Sequence, residues 1–263
     1  MIIEELRELL KQNNIRAGDV LCIFSDITSF GIPESLKEKV KKNGLNFLME
    51  SYLDTFKDAV GEQGLIVMPT FSYSACEGEV FDVNNTKSKS KIGVLPEYFR
   101  KQKDVKRSLH PIFSFAAWGD KAEDFLKFES FNCFGEKHIF GKLYNINATY
   151  VLFGIDMQHG ATYVFYSEQK INVYYRYYKN FPAIIRDNNK EFKTTVKYFV
   201  RNLNLNPKDY FYELEKRSLE TGITNSFKFG SGNILIMKSQ EIDGLIREEV
   251  KKNKDYLIRK GYE

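Results

Sequence analysis

A short turn rich in reactive side chains occurs at Arg107-Ser108-Leu109-His110-Pro111, between a helix-like and a strand-like segment. A guanidinium, a hydroxyl and an imidazole in so short a span could hold an anionic or activated ligand, and an imidazole carries protons near neutral pH. A turn histidine hydrogen-bonded to the backbone is the alternative explanation. The pattern leaves both open, and His110 is a candidate catalytic residue.

A second candidate site consists of Thr162, Phe165 and Glu168, whose spacing of three residues would place them on one helical face. Burial among the neighbouring aromatic residues would raise the pKa of Glu168, which would then act as a base or bind an ammonium group. Pairing of Glu168 with Arg176 or Lys170 explains the pattern equally well.

The chain has three histidines and three cysteines, which limits its imidazole and thiol chemistry. His138 and His159 each lie in a polar segment that is typical of a solvated loop. The cysteines, Cys22, Cys76 and Cys133, are far apart, and no Cys-x-x-Cys or Cys/His spacing indicates a metal site. Glycine patterns for dinucleotides, P-loops and nucleophile elbows do not occur. We therefore expect no metal.

The composition is that of an ordinary globular chain. Its 263 residues are 43% hydrophobic and 28% charged, enough for one large domain with a substantial core. Acidic and basic residues are interspersed around a net charge of +4, which argues against nucleic-acid binding. No apolar run approaches the roughly 20 residues of a membrane span, and no signal pattern is present. These features predict a cytoplasmic protein whose cysteines are reduced.

The hydrophobic pattern alternates buried strands with amphipathic helices, which predicts an α/β fold. Apolar runs at residues 20–24, 65–68 and 149–153 predict strands, and residues 47–60 have helical periodicity. Ser239 is expected to cap a last helix with an apolar inner face.

The C-terminal half predicts additional antiparallel strands. Asp187-Asn188-Asn189-Lys190 is a good hairpin turn, and Gly230-Ser231-Gly232 marks a second. Residues 73–92 form a long loop whose lysine-rich run, 87–91, should be mobile; a functional lid and a solvated insertion are equally compatible with it. Because we find neither a repeat nor a linker, residues 1–263 are predicted to form a single domain.

Several short segments, in their order and spacing, resemble the aminoglycoside 3-N-acetyltransferase family over about residues 6–181. The matching segments are Ser25, residues 64–71, Phe81-Asp82, residues 93–100 and 107–114, Phe134-Gly135-Glu136, residues 152–154, Thr162, Glu168, and Tyr175-Arg176. The resemblance implies a single-domain, layered α/β/α fold that binds acetyl-CoA, or another acyl-CoA, and an amino sugar in one cleft. The chain resembles relatives from bacterial polysaccharide and amino-sugar loci more than the resistance enzymes.

The resemblance also implies roles for the matching positions in acyl transfer from a thioester to an amine. The residues that would bind coenzyme A are Ser25, Arg107, Ser108, His110 and Ser114. The residues that would bind the amino sugar are Thr70, Asp82, Glu168 and Tyr175. The predicted catalytic residues are Glu168, Thr162 and His110.

Three positions that carry histidine in the family carry phenylalanine here, namely Phe24, Phe113 and Phe165. The family uses the histidine at the position of Phe165 as the base that removes the amine proton, and a phenyl ring cannot move a proton. Either another residue acts as base, or the amine arrives deprotonated, or the protein binds without catalysing. The candidates for another base are Glu168, His110, His159 and Asp156.

The leading hypothesis is an acyl-CoA-dependent N-acyltransferase that acts on an amino sugar in surface polysaccharide biosynthesis. A non-catalytic homologue and an aminoglycoside-resistance enzyme are the alternatives. An acidic cleft would favour the resistance enzyme because aminoglycosides are polycations, and Glu77, Glu79 and Asp82 are the hint of one. The tyrosines at residues 174–178 would bind a sugar or an ammonium ion, or pack in a core or a homodimer interface.

Overall fold

The apolar runs form the strands of the structure, and the amphipathic segments form helices over them. The computed structural model describes residues 2–260. Its strands are β1 (Val20–Ser25), β2 (Leu65–Pro69), β3 (Phe81–Asp82), β4 (Lys106–Arg107), β5 (Phe115–Trp118), β6 (Thr149–Phe153), β7 (Arg176–Asp187), β8 (Lys190–Arg201), β9 (Pro207–Asp209), β10 (Thr224–Phe229), β11 (Gly232–Lys238) and β12 (Ile258–Lys260). Its helices are α1 (Ile2–Gln12), α2 (Lys37–Asn43), α3 (Leu45–Val60), α4 (Ser74–Glu77), α5 (Val94–Phe99), α6 (Ala122–Leu126), α7 (Ile139–Asn145), α8 (Met157–Gly160), α9 (Val164–Lys170), α10 (Tyr212–Glu220) and α11 (Ser239–Lys252). Within this described range, no helix combines the length and apolar character needed to cross a bilayer.

The central sheet has seven strands in the order β10-β11-β6-β1-β2-β5-β4. The three middle strands, β6, β1 and β2, are parallel, and Cys22 at the centre is in register with Val67 and Tyr150. The flanking strands run antiparallel to their neighbours. Because the three middle strands are parallel, their carboxyl ends lie at one edge of the sheet.

Both faces of the sheet are covered by helices, which confirms the layered α/β/α arrangement. Alternate residues of β1 divide between two cores: Cys22 and Phe24 on one face, Leu21 and Ile23 on the other. Helices α1, α3 and α5 contribute to the core on the second face, and α7, α9 and α11 contribute to the core on the first. The strands are buried on both faces, which explains why they read as continuous apolar runs.

The predicted hairpin at residues 187–190 is present, with Asn188 in the left-handed region at φ 52°. It joins β7 and β8, which are 12 residues each and far longer than the sequence indicated. Two adjacent tyrosines at the start of β7, Tyr177 and Tyr178, are both exposed, so apolar and polar residues do not alternate there. Together with β3 these strands form a second sheet, and β9 pairs with β12 in a third.

Ser239 is the first residue of α11, and Lys238 occupies the N-cap position. The prediction that Ser239 caps this helix is therefore wrong. Its buried hydroxyl instead donates to the carbonyl of Leu143, 3.1 Å away, and so joins α11 to α7. The predicted inner face of α11 is confirmed, since Ile242 and Leu245 are buried.

The long loop at residues 73–92 contains α4 and β3, and its lysine-rich run is anchored. The backbone N–H of Lys89 donates to Phe71 O at 2.9 Å. The backbone and hydroxyl of Ser88 both donate to Glu97, at 3.1 and 2.9 Å. Lys89 also pairs with Glu77. The structure thus differs from the expected mobile run, because these contacts connect it to β2, α4 and α5.

Candidate active site

Several predicted site residues meet at the edge of the central sheet where the three parallel strands end. Ser25 is the last residue of β1, Thr70 follows β2, and the loop that begins at Gly154 follows β6. Ser114 directly precedes the antiparallel β5, and its hydroxyl donates to Thr70 O at 2.7 Å. Ligand sites in parallel α/β sheets lie at this edge, which makes it the candidate active site.

Arg107 connects this edge to the loop that follows β3. Its Nε lies 3.2 Å from both Thr70 Oγ1 and Ser114 Oγ, and its Nη2 donates to Thr70 O at 2.7 Å. Its Nη1 donates to the carbonyls of Val83 and Thr86. Burial lowers the pKa of Arg107 to about 9. The structure therefore brings together Arg107, Thr70 and Ser114, with the guanidinium hydrogen-bonded to the protein itself.

The other two predicted serines, Ser25 and Ser108, differ in what their hydroxyls contact. Among the described residues, none hydrogen-bonds to the buried hydroxyl of Ser25, so that hydroxyl is left for a group entering the sheet edge. Gly93 lies against Ser25, because a Cβ at position 93 would stand 2.5 Å from Ser25 O. Ser108 Oγ accepts a hydrogen bond from the backbone N–H of Phe115 at 2.9 Å and so fixes β4 against β5.

His110 is fully buried, and its Nδ1 accepts hydrogen bonds from the backbone of Phe113 at 2.9 Å and of Ile112 at 3.3 Å. Its ring lies edge-on to that of His138, with 4.6 Å between centroids. Burial, together with the proximity of His138, lowers the pKa of His110 well below its usual range. This geometry is that of a turn histidine hydrogen-bonded to the backbone, the alternative explanation that the sequence left open. A role for His110 beside a thioester stays a prediction.

Glu168 belongs to a buried polar cluster with Tyr175, Arg176 and Asp209. The hydroxyl of Tyr175 donates to Oε1 at 2.7 Å, and Arg176 Nε lies 2.6 Å from Oε2. Arg176 Nη2 donates to Asp209 Oδ1 at 3.0 Å. Glu168 is 0% exposed, and burial raises its pKa to about 7 despite the attraction of Arg176. Of the two partners considered, Arg176 is the one that pairs with Glu168.

Thr162 lies in the turn before α9, and its N–H donates to Gly160 O at 2.8 Å. Since α9 begins at Val164, only Phe165 and Glu168 share a helix. The expectation that all three residues lie on one helical face is therefore wrong for Thr162. A turn after Gly160 separates α8 from α9.

The acidic residues of the long loop contribute to local contacts. Asp82 Oδ1 accepts hydrogen bonds from the backbone of Asn85 at 2.9 Å and Asn84 at 3.0 Å, which lowers the pKa of Asp82. Glu77 forms its ion pair with Lys89. These carboxylates close a turn and anchor a loop, so the acidic cleft suggested by the sequence is not assembled from them.

A carboxylate–imidazole pair lies in the loop after β6. Asp156 Oδ1 accepts a hydrogen bond from the backbone of His159 at 2.9 Å and lies 2.6 Å from His159 Nδ1. All three histidines are among the described residues, and His159 alone is exposed, with 64% of its side chain accessible. Gln158 anchors this loop by hydrogen bonds to Asp209 O and to the N–H of Phe211, whose ring lies 6.2 Å from that of Phe165. The loop that carries the pair is thus connected to Phe165 through Gln158 and Phe211.

Two clefts border these residues. One, of about 960 Å³, is lined by Arg107, Ser108, Lys101 and Lys106. The other, of about 680 Å³, lies on the face of β7 and β8 that carries Tyr198. Of the predicted site residues, Arg107 and Ser108 line the first cleft, and none lines the second. Within residues 2–260, no group of three or more His, Cys, Asp or Glu side chains is arranged to hold a metal ion.

Comparison with known proteins identifies the family. A family profile described as aminoglycoside 3-N-acetyltransferase matches residues 38–249, which is most of the chain. The chain belongs to this family.

Individual relatives agree with this assignment. The SPbeta prophage-derived aminoglycoside N(3')-acetyltransferase-like protein YokD of Bacillus subtilis is 27% identical over 171 residues, which cover 52% of this chain and 63% of YokD. Aminoglycoside N(3)-acetyltransferase IV of Salmonella is 36% identical over 74 residues, 28% of this chain and 27% of that enzyme. These alignments span less than two thirds of either relative.

A solved structure extends the likeness over the whole fold. The AAC-IIIb enzyme in a binary complex with CoASH superposes with a TM-score of 0.78, covering 96% of this chain and 97% of that one, at 17% identity. At that identity the comparison shows a shared fold. The expected fold of the aminoglycoside 3-N-acetyltransferase type is therefore confirmed.

The three phenylalanines at positions where the resemblance predicts histidine, Phe24, Phe113 and Phe165, are buried or partly buried in aromatic packing. Phe113 and Phe165 both contact Phe134, with centroid separations of 4.9 and 5.7 Å. The guanidinium of Arg176 lies 4.3 Å from the centroid of Phe165. Phe24 lies apart from them, edge-on to Tyr163 at 5.8 Å. At the position predicted for the family's base, the structure thus has a phenyl ring covered by a cation.

Sequence reasoning missed Asp209 and Tyr198, two residues that complete this region. Asp209 is the second partner of Arg176, and the ring of Tyr198 lies 5.2 Å from Phe113 and 5.8 Å from Phe134. A buried arginine needs acidic partners, so Arg176 in an aromatic segment was a signal for some carboxylate. Nothing in the sequence indicated that one of them would be Asp209, 33 residues away.

Proposed function

We propose that this protein transfers an acyl group from a coenzyme A thioester, acetyl-CoA in the first instance, to the amine of an amino sugar. Family membership supports acyl transfer to an amine. The CoASH complex of the similarly folded AAC-IIIb supports coenzyme A as the donor. At the sheet edge, the free hydroxyl of Ser25 and the cluster of Thr70, Ser114 and Arg107 are the groups of this chain that would position the donor.

The observation that favours catalysis over binding alone is the Asp156–His159 pair. Because Phe165 cannot accept a proton, an active enzyme needs another base near that position. His159 is exposed, its Nδ1 is held 2.6 Å from Asp156 Oδ1, and its loop is anchored to Phe211, whose ring lies 6.2 Å from that of Phe165. A carboxylate at Nδ1 fixes the tautomer in which Nε2 has a free lone pair. We assign proton removal to His159 Nε2.

In the proposed reaction the amine nitrogen attacks the thioester carbonyl carbon. The new C–N bond forms, the C–S bond breaks, and coenzyme A leaves as a thiolate that takes up a proton. His159 accepts the proton released by the amine. Donors aimed at the tetrahedral oxyanion stabilise the intermediate, and the buried, unpaired hydroxyl of Ser25 is this chain's candidate for that contact.

Glu168, predicted from the sequence as the acid/base, is given a positioning role in this proposal. Its two oxygens face Tyr175 and Arg176, and it is 0% exposed. An amine would have to displace one of these partners to reach it. Glu168 therefore holds Arg176 over Phe165, next to the Thr162 turn.

The proposal is tested by measuring thiol release from acetyl-CoA with a panel of amino sugars, amino-sugar phosphates and aminoglycosides, alongside calorimetric binding of acetyl-CoA. Release that depends on an amino sugar supports the transferase. Tight binding of acetyl-CoA without release by any amine would support the non-catalytic alternative. Absence of both binding and release would contradict acyl transfer altogether.

The role of His159 is tested by two variants. We expect His159→Gln to lower kcat/KM by about a hundredfold or more, since that is what loss of a general base costs. Asp156→Ser keeps a helix-capping oxygen but removes the carboxylate, and we expect it to retain the fold and lose most of the activity.

The variant Phe165→His tests the same assignment from the other side, by adding a candidate base at position 165. If His159 is the base, restoring a histidine at position 165 should change kcat/KM little. A large increase in Phe165→His, with His159→Gln unaffected, would contradict the assignment and show that the base is absent from the present sequence.

Aminoglycosides are the second candidate acceptors, favoured by the family description and by the Salmonella relative. The engagement of Glu77 and Asp82 in local contacts weighs against them, because a polycation needs free carboxylates. A setting in surface polysaccharide biosynthesis and a homodimer stay predictions from the sequence.

A further inference from the structure

The cleft of about 680 Å³ on the face of β7 and β8 has an unusual lining for a site that would accept a polycation. None of the nine residues that line it is acidic, and Lys179 and Arg201 supply cations. In the part of the chain that the structure describes, Lys179 pairs with no carboxylate; its Nζ lies 5.0 Å from the Phe181 ring centroid. Arg201 is 3.6 Å from Asp209 Oδ2 and 43% exposed. The cleft is therefore positive.

Aromatic rings form another part of the lining of this cleft. Tyr177, Phe181 and Tyr198 line the cleft, and Tyr177 is 48% exposed. Tyr177, Lys179 and Phe181 alternate along β7, so their side chains share one face of the strand. On β8, Tyr198 pairs in register with Lys179. Rings of this kind contact the apolar faces of sugars and bases, while a cation beside them binds phosphate.

The cleft adjoins the site proposed for acyl transfer. Tyr198 forms part of its wall and also contacts Phe113 and Phe134, which in turn contacts Phe165. Beyond this wall, Arg176 covers Phe165. An acceptor lying in the cleft would therefore extend towards the position that holds the base in the family.

We propose that the acceptor is a phosphate-bearing amine, such as an amino-sugar phosphate or a nucleotide-linked amino sugar, whose phosphate binds Lys179 and Arg201 in this cleft. The proposal rests on the proposed acyl transfer and specifies the substrate class of that site. An aminoglycoside would bring several positive charges to a wall without carboxylates, and like charges repel at such distances.

The test compares glucosamine, glucosamine 6-phosphate, UDP-glucosamine and gentamicin by calorimetric binding to the CoA-saturated protein and by thiol release from acetyl-CoA. We expect the phosphorylated probes to bind at least about tenfold more tightly than glucosamine, the effect of one charge-assisted contact. Lys179→Gln should abolish that preference and leave the binding of glucosamine unchanged. Lys197→Gln is the matched control, because Lys197 follows the opposite face of β8, with its Nζ 3.9 Å from the Tyr178 centroid.

Binding and thiol release separate this proposal from the proposed function. Lys179-dependent binding of a phosphorylated probe without thiol release supports the cleft and counts against acyl transfer to that class. Thiol release with glucosamine or gentamicin, and no preference for phosphate, overturns the cleft and leaves acyl transfer standing. Weak binding of every phosphorylated probe, or equal losses in the Lys179 and Lys197 variants, also overturns it.

Discussion

Phe165, the position predicted for the family's base, packs against Phe134 and Arg176. Arg176 lies between the ring of Phe165 and the carboxylates of Glu168 and Asp209, so its charge is balanced although it is buried. These two carboxylates, against the effect of burial, raise the pKa of Arg176. A histidine at position 165 would place a second basic group against the guanidinium of Arg176.

A prediction at the residue scale concerns the pH dependence of stability. The folded protein holds the Glu168 proton up to about pH 7, whereas an ordinary glutamate loses it near 4.5. Raising the pH through this window therefore costs the native state stability. Glu168→Gln lacks this titration, so its free energy of unfolding should rise relative to the wild type, by about 1–3 kcal/mol between pH 4.5 and 8.

Urea unfolding of both proteins across this pH range measures the difference. Glu191→Gln, which breaks an exposed ion pair with Arg186, is the surface control and should not reproduce the trend. A constant difference between wild type and Glu168→Gln would contradict the raised pKa.

At the scale of elements, the segment from α4 to α5 is held against the sheet edge by a few polar contacts. Arg107 binds the carbonyls of Val83 and Thr86, and Glu97 on α5 binds Ser88 and Arg100. These contacts join stretches of chain that are otherwise connected only through a long loop. Ordered in this way, the segment forms one side of the edge at which Ser25 lies.

The pKa of Glu97 predicts how the contribution of this segment to stability depends on pH. Burial alone would raise its pKa, but hydrogen bonds from Arg100 and Ser88 lower the pKa to about 2. Its stabilisation is therefore present above about pH 4.5 and lost as the pH falls towards 2. Glu97→Gln should cost about 1 kcal/mol at pH 7, after allowance for solvent screening, and nothing at pH 2. Thermal unfolding at both pH values checks this, with the exposed pair variant Glu4→Gln as control.

Gly93 predicts how closely α5 must approach β1. It has φ 101°, and an added Cβ would stand 2.5 Å from Ser25 O. Gly78 also has a positive φ, of 72°, but nothing lies within 4 Å of its Cβ position. Gly78→Ala should cost about 1 kcal/mol of stability for the backbone alone. Gly93→Ala should cost at least about 2 kcal/mol more and weaken acetyl-CoA binding. Equal costs in urea unfolding would contradict the close approach.

At the scale of the whole molecule, the central sheet separates two cores, and the second sheet contributes to the first core. Phe199 of β8 and Ala183 of β7 belong to the same cluster as Phe24 of β1. Most buried residues of the hairpin therefore belong to the first core, while Ile185 of β7 packs with Phe81 and Val83 in a small third cluster. This packing supports the predicted single domain for residues 1–263, which stays a prediction.

A single domain should unfold in one calorimetric transition. At about 0.7 kcal/mol per residue, the 263 residues should give roughly 180 kcal/mol near 60 °C, with van't Hoff and calorimetric enthalpies in agreement. Two separated transitions, or a calorimetric enthalpy about twice the van't Hoff value, would show that the β7–β8 region unfolds separately.

The sequence by itself determined the elements whose signals are local. The strands β1, β2 and β6 are continuous apolar runs because they are buried on both faces, and the turn at Asn188 has the residues that a left-handed conformation favours. The family landmarks were equally legible because they are short strings in a fixed order. The length of β7 could not be predicted from the sequence, because its exposed tyrosines obscure the alternation of apolar and polar residues.

The tertiary structure alone decided which side chains meet. Arg107 reaches carbonyls 21 and 24 residues away, and Arg176 reaches Asp209, 33 residues away. It also buried His138, which the sequence placed in a solvated loop, and left His159 exposed, although both lie in polar sequence. Periodicity and turn chemistry describe neighbours within a few residues, whereas these contacts depend on sheet order and on the β7–β8 hairpin packing against the first core. The physical reason is that burial and pairing arise between distant segments and carry no local signature in the sequence.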